Sequence, residues 1–444
     1  MPSTLEYMQF ATNVYAASAL NTIGVPTGWT RIDWQPDTFT GFSAGVYKND
    51  QTGELVISYT GTNDGVADPL NWSAGLGIPA PQIYQAMAYY FAFRSAYPDA
   101  NITFTGHSLG GGLASLMAVL FDKPATVFDA APFGLAAINP ALLPSYGAAM
   151  ATSGYRDEAL ATYIELVGLP LFTRASNVTQ FYVQGEVLQY ARALSANISG
   201  FDYFIQLANS TAGLVERHSM ALMTALQLSD SFHQVAQKLP NLISMMLDSN
   251  LFAASSPLDT NADLLRTLLR HQLGVAGAIQ PDDMLNRFAT DMNTFDQAGS
   301  ASTPQMLGHA LIAFAMEKYY SETTADASQQ AALFKAVTGG LQFDTSKINA
   351  DITAAKGYQQ YFTNYLSSAM FTPDEANLIR NKISTLHDWS IAVGSSGMTA
   401  SDSQNHGALM IGNFGNDTLT GGTAADLLAE EAANDSVFEM WVAA

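Results

Sequence analysis

Residues Asn101–Phe121 read NITFTGHSLGGGLASLMAVLF. The first five, NITFT, are short, β-branched and aromatic, which suits a strand. From Leu109 the run LGGGLASLMAVLF is small and apolar over more than three turns, which suits a buried helix. Between them stands Gly106-His107-Ser108-Leu109-Gly110. A Gly-x-Ser-x-Gly pattern arises by chance roughly 0.1–0.2 times in a chain of this size, so only its setting gives it meaning. A strand that turns sharply into a helix is that setting. The residues two before and two after the serine must be tiny for the turn to close, and Gly106 and Gly110 are. Gly111, Gly112 and Ala114 let the helix lie close to the sheet. The helix start then aims its free N–H groups at any negative charge that develops beside Ser108.

A second match, Gly41-Phe42-Ser43-Ala44-Gly45, leads into another strand signal and no helix. Ser43 is therefore read as a hairpin residue. Outward from the elbow, strand and helix signals alternate: strands at Gly53–Tyr59, Ala125–Phe128 and Val178–Val183, and a helical pattern over Pro81–Tyr97. Alternation of this kind predicts an α/β fold, a mostly parallel sheet with flanking helices, over residues 1–225. Strand signals nearly vanish after about 227. Helical segments are expected at 259–273, 282–295, 304–321, 326–338, 344–369 and 372–388, so 226–391 is read as a large helical domain or cap. From Ala392 the composition turns to Gly, Ser, Asn and Asp. Gly412–Thr420 (GNFGNDTLT) and Gly421–Ala429 (GGTAADLLA) are consecutive nine-residue units with Asp417 and Asp426 at equivalent positions. Residues 392–444 are thus read as a nonapeptide segment forming a short β-roll-like element, ending in an acidic then apolar tail.

Composition narrows the function. The chain has 444 residues, with 18 Lys+Arg against 39 Asp+Glu and a net charge of −21. That excludes a nucleic-acid partner, which needs a basic footprint, and electrostatic docking on anionic lipid. The absence of cysteine removes disulfides, thiolate metal sites and a cysteine nucleophile. No transmembrane segment is expected, because the longest charge-free run, 130–155, is broken by Pro132, Pro140 and Pro144. The first residues, MPSTLEYMQF, lack the charged and apolar regions of a secretory signal peptide.

An acyl-transfer site needs more than a serine. One oxyanion donor is expected from the N–H of Leu109, and a second from Thr62 in Thr60-Gly61-Thr62, with Asn71 and Trp72 shortly downstream. Of the seven histidines, His107 sits inside the elbow and is poorly placed to serve as base. His218, in Glu216-Arg217-His218-Ser219-Met220 where the α/β pattern ends, is the chosen base. The acid that orients it is assigned to Glu186, one step past the strand Val178–Val183 and just after Gly185. Asp129, at the end of the preceding strand, is the rival.

Taken together, GHSLGG at 106–111, the Thr60–Trp72 segment, the Gly185-Glu186 strand end and His218-Ser219-Met220 resemble the class 3 lipase-like branch of the α/β-hydrolases. The resemblance covers roughly 5–225. It implies a serine esterase of lipase or phospholipase A1 type, acting on lipid or other acyl esters at a lipid interface, with no organic cofactor. Two positions depart from that family: Thr60 stands where Arg is usual, and Glu186 where Asp is common. The nonapeptides resemble the repeats-in-toxin type, which implies structural calcium held by Asp417 and Asp426, a bacterial extracellular location, and export by type I secretion machinery without an N-terminal signal. Alternative readings are a polyester or other acyl esterase, or a non-catalytic, calcium-organised extracellular binding protein.

Overall fold

The computed structural model describes residues 1–15, 23–61, 81–161, 171–247, 264–273, 284–297, 334–344, 389–401 and 407–438, apart from short breaks within these spans. The chain divides into two compact units, residues 1–208 with 213–228, and residues 209–212 with 229–444. No helix among the described residues is long and apolar enough to cross a membrane.

The first unit is built on a seven-stranded sheet in which spatial order follows chain order. Strands β1 (Trp29–Gln35), β2 (Ala44–Asn49) and β3 (Leu55–Tyr59) form an antiparallel meander. From β3 onward every pairing is parallel, through β4 (Ile102–His107), β5 (Ala125–Phe128), β6 (Val178–Val183) and β7 (Phe201–Ile205). With its flanking helices this is an α/β-hydrolase architecture, as the strand–helix alternation predicts. Ser43 lies on the link between β1 and β2, its hydroxyl donating to the Gln35 carbonyl at 2.8 Å, so it is a hairpin residue and not an elbow.

Alternate residues of a strand face opposite sides, and β4 makes this visible. Thr103 accepts from the Tyr7 hydroxyl at 3.0 Å, which seats helix α1 (Thr4–Asn13) on one face. Ser3 and Glu6 close a capping box that starts α1. Phe104 points to the other face. There it meets Tyr59, Tyr90 and Phe121, at ring separations of 6.1, 5.6 and 6.5 Å. Tyr90 belongs to α2 (Pro81–Ala96) and Phe121 to α3 (Leu109–Phe121). All thirteen residues of α3 are buried, which its uniformly small and apolar sequence permits. Phe104→Ala should cost the first unit about 3–5 kcal/mol, read as a lowered denaturant midpoint with the slope unchanged.

Short helices α4 (Gly134–Ile138) and α5 (Leu142–Ala151) follow β5. Helix α6 (Gln189–Leu194) follows β6, and α7 (Leu214–Arg217) and α8 (Met220–Leu228) end the unit.

In the second unit, helices α9 (Asp230–Lys238), α10 (Leu242–Leu247), α11 (Leu264–Gln272) and α12 (Met284–Gln297) fall in the region read as helical. The region is not all helix. Strand β8 (Phe334–Asp344) pairs antiparallel with β9 (Trp389–Ser401), so the helix expected over 326–338 is corrected across 334–338. The run FKAVTGGLQFD carries Gly339 and Gly340, poor helix formers, and Val337, Leu341 and Phe343 alternate as a strand requires. The helix expected at 344–369 is likewise corrected at Asp344, the last residue of β8; the rest of it, and the helices expected at 304–321 and 372–388, lie outside the described residues.

Strands β10 (Gly407–Ile411), β11 (Thr418–Thr420), β12 (Leu427–Ala429) and β13 (Ser436–Phe438) complete a six-stranded sheet with β8 and β9. Gly407 lies opposite Trp389, Leu409 opposite Leu427, and Thr418 opposite Ser436, so these parallel rungs are 18 residues apart. That step equals two of the nine-residue units seen in sequence. Asp417 and Asp426 themselves lie outside the described residues.

Candidate active site

The sheet's parallel half brings four loop beginnings to one edge, those after β3, β4, β5 and β6. β4 ends at His107, Ser108 follows at φ 59° and ψ −126°, and α3 begins at Leu109. A positive φ on a residue with a Cβ is strained and persists only where the surroundings enforce it. Here the Ser108 N–H donates to the Phe128 carbonyl at 3.0 Å, and its carbonyl accepts from Ala131 N–H at 2.9 Å and Gly112 N–H at 3.2 Å. A Cβ on Gly106 would lie 2.5 Å from the Gly110 carbonyl, and one on Gly110 would lie 2.1 Å from the Tyr59 carbonyl oxygen. The two glycines are therefore a steric necessity of the turn. The Gly112 bond is the first i→i−4 bond of α3, so the Leu109 N–H stands ahead of it among the unpaired donors of a helix start.

β3 delivers Thr60 and Gly61 beside the serine: a Cβ on Gly61 would sit 2.9 Å from Ser108 Cβ. Thr62, Asn71 and Trp72 lie outside the described residues. After β6, Gly185 at φ 82° bends the chain sharply into Glu186. Glu186 is wholly buried, and its Oε2 accepts from His218 Nδ1 at 2.7 Å and from Leu188 N–H at 2.8 Å. Its Oε1 is held by Arg192, whose guanidinium also donates to the Ala130 carbonyl at 3.0 Å and covers the Tyr182 ring. Burial pushes the Glu186 carboxyl up, but His218, Arg192 and the Leu188 N–H together hold it below its ordinary value.

His218 caps the C-terminal end of α7, positioned by Arg217, which donates to the carbonyls of Gln184 at 2.9 Å and Leu207 at 3.0 Å. Its ring centroid is 4.6 Å from that of His107, the residue before Ser108. Ser108 Oγ makes no hydrogen bond to another described residue, so the acid–base half of the arrangement is closed and the base–nucleophile half is open. Such bonds commonly tighten only once substrate is bound.

His107 is tied in differently. Its Nε2 lies 2.8 Å from the His218 carbonyl oxygen and its Nδ1 3.1 Å from the Tyr15 hydroxyl, which itself accepts from Gly61 N–H at 2.8 Å. The consistent tautomer carries the proton on Nε2 and donates it to the His218 carbonyl. Burial, with His218 nearby, holds His107 well below the usual histidine range, so it stays neutral in this chain of bonds. Asp129 is also buried, at the end of β5, 3.9 Å from His218 Nδ1 and 4.0 Å from His107 Nε2. The ligand atoms of His107, Asp129 and His218 lie within 4.8 Å of one another. Both ring nitrogens are already bonded, to the His218 carbonyl and to Glu186, so the group is a hydrogen-bond network and not an open coordination shell.

The structure thus gathers Ser108, Leu109, His218, Glu186 and Asp129 from four separate stretches. Sequence reading passed over Tyr15, Arg192 and the supporting part of His107. Arg192 carries a weak signal, standing on the helix directly after Glu186; Tyr15 carries none, since it belongs to the far end of the chain.

The sheet and its elbow define the α/β-hydrolase class. Within it, the chain belongs to the phospholipase-like family: the family's Tle-like phospholipase domain matches residues 9–238. Extracellular phospholipase A1 of Serratia liquefaciens is 38% identical over 95 residues, covering 21% of this chain and 29% of that protein. A putative lipase, atg15, of Penicillium rubens is 27% identical over 183 residues, covering 31% of this chain and 27% of that protein. The matches therefore span less than a third of the length of these relatives. Among solved structures, Lip2 lipase from Yarrowia lipolytica aligns with a TM-score of 0.29 and 14% identity, over 46% of this chain and 77% of that one.

Proposed function

We propose that this chain is a serine hydrolase that cleaves carboxylic esters of lipids, with phospholipid acyl esters as the first substrate class to test. The observation that carries the reading is the His218–Glu186 bond of 2.7 Å, with the His218 ring 4.6 Å from that of His107, the residue before a serine at positive φ on a strand-to-helix turn. Membership of a phospholipase-like family supports the substrate class.

In this reading Ser108 Oγ attacks the ester carbonyl carbon as His218 Nε2 takes its proton. Glu186 keeps the Nδ1 proton in place and stabilises the imidazolium. The Leu109 and Thr62 N–H groups hold the oxyanion of the tetrahedral intermediate. The ester C–O bond breaks, His218 returns the proton to the departing alcohol, and water repeats the sequence on the acyl-enzyme.

The same proposal includes an extracellular setting, supported by the extracellular phospholipase A1 relative, and type I export, which rests on the resemblance of the nonapeptide units alone. It also includes calcium on Asp417 and Asp426, supported by the 18-residue rung spacing. A serine-reactive phosphonate should label the folded protein once, at Ser108. A lipid panel with positional product analysis, run with and without calcium, should show fatty acid released from phosphatidylcholine. A folded protein that neither labels nor hydrolyses any ester in the panel would be a binding protein on a hydrolase scaffold, and the proposal would fall.

A further inference from the structure

Among the described residues, Asp129 is the one buried carboxyl beside His218 that the reaction above leaves unused. It directly follows β5 at φ 43°, a left-handed conformation that Asp tolerates better than most residues. Its N–H donates to the Phe181 carbonyl at 2.8 Å and its Oδ1 accepts from Val183 N–H at 3.1 Å. Those bonds fix the carboxyl against β6. They leave Oδ2 buried and without a hydrogen-bond partner among the described residues. It faces His218 Nδ1 at 3.9 Å and His107 Nε2 at 4.0 Å. Leaving a buried carboxyl oxygen unpaired is unfavourable, and asparagine would serve the Val183 contact equally well. The bonding to β6 therefore does not account for an acid at this position.

We propose that Asp129 is a positioning residue, a second carboxyl aimed at His218 and held in reserve as an acceptor for the Nδ1 proton. The inference rests on His218 being the base. A shift of about 1 Å would bring Oδ2 into hydrogen-bond range of Nδ1. The groups facing Asp129 are His107, His218, Glu186 and Arg192. Burial first, and then the Glu186 charge, hold its carboxyl well above the usual range, so beside an ionised Glu186 it keeps its proton. Neutralising Glu186 removes that repulsion and leaves the Arg192 charge uncompensated. Both changes favour ionisation of Asp129, which then takes over the contact with His218.

The test is kcat and KM against pH on a soluble ester for wild type, Glu186→Gln, Asp129→Asn and the double variant, each checked for folding by circular dichroism. Glu186→Gln should lose about 10²-fold in kcat, Asp129→Asn less than about 10-fold, and the double variant about 10⁴-fold, more than the product of the two. KM should change little in all three. The low-pH limb of the profile should stay near its wild-type place in Glu186→Gln and move only in the double variant, where no carboxylate is left beside the His218 ring. A purely structural Asp129 would not move that limb. A double variant no worse than Glu186→Gln overturns the proposal. So does an inert Asp129→Asn beside a fully active Glu186→Gln, or the reverse ranking of the two. If all four proteins turn over alike, the reading of His218 as a base oriented by Glu186 falls together with the proposal. Should Glu186→Gln not fold, Glu186→Ala, which also removes the charge, replaces it with the same expected ordering.

Discussion

Replacing Ser108 with alanine should lower ester turnover by about 10⁶-fold with the fold intact. The backbone of residue 108 makes its three hydrogen bonds through N–H and carbonyl alone, and alanine at φ 59° is no more strained than serine. The side chain contributes nothing to the turn, so the variant separates chemistry from folding. Turnover of a p-nitrophenyl ester and the thermal midpoint of the same sample are the two measurements. Near-native turnover in a folded Ser108→Ala protein would remove Ser108 from the reaction, and the roles given to His218 and Glu186 would lose their support. The size of the effect follows from the acyl-enzyme route: without the hydroxyl there is no nucleophile for His218 to activate, and only binding and oxyanion donors remain.

A loss of stability at least comparable to that of Phe104→Ala is expected from Gly110→Ala. The new Cβ would lie 2.1 Å from the Tyr59 carbonyl oxygen and 2.6 Å from the carbonyl carbons of Tyr59 and Thr60. These are backbone atoms, which no rotamer change can move aside. Helix α3 would have to lift off β3, opening the core beneath Leu113, Leu116 and Phe104 and drawing the Thr60–Gly61 segment away from Ser108. A cost of roughly 3 kcal/mol or more follows from overpacking of this kind, a large share of a typical domain's stability. For a unit of this size that amounts to a fall of ~6–12 °C in its thermal midpoint, accompanied by loss of phosphonate labelling. Gly147→Ala is the control. It sits in α5 with nothing within 4 Å of the added Cβ, and should be neutral or slightly stabilising. Equal melting of both variants and the wild type would show that α3 is not seated against the Tyr59 carbonyl.

Much of this site is legible along the chain, and the reason is local sterics. A strand that must become a helix across a single strained serine demands glycine on either side, and that demand appears in the sequence as GHSLG. Glu186 is readable for a similar reason: acids that serve a parallel sheet lie at strand ends, and Gly185 marks the bend. Strand β8 is not legible in the same way, because a short run with alternating apolar residues inside a long helical stretch reads as helix until β9 is known to pair with it.

The chain's sequence by itself determined the α/β order, the elbow and the two glycines that permit it, because each depends on contacts between near neighbours. Only the tertiary structure decided that Glu186 and not Asp129 bonds His218, that Arg192 holds Glu186, and that Tyr15 and His107 link Gly61 to the His218 carbonyl. Those choices turn on differences of about an ångström between groups far apart in the chain, and separations of that kind are set by how the layers pack, leaving no pattern along the sequence.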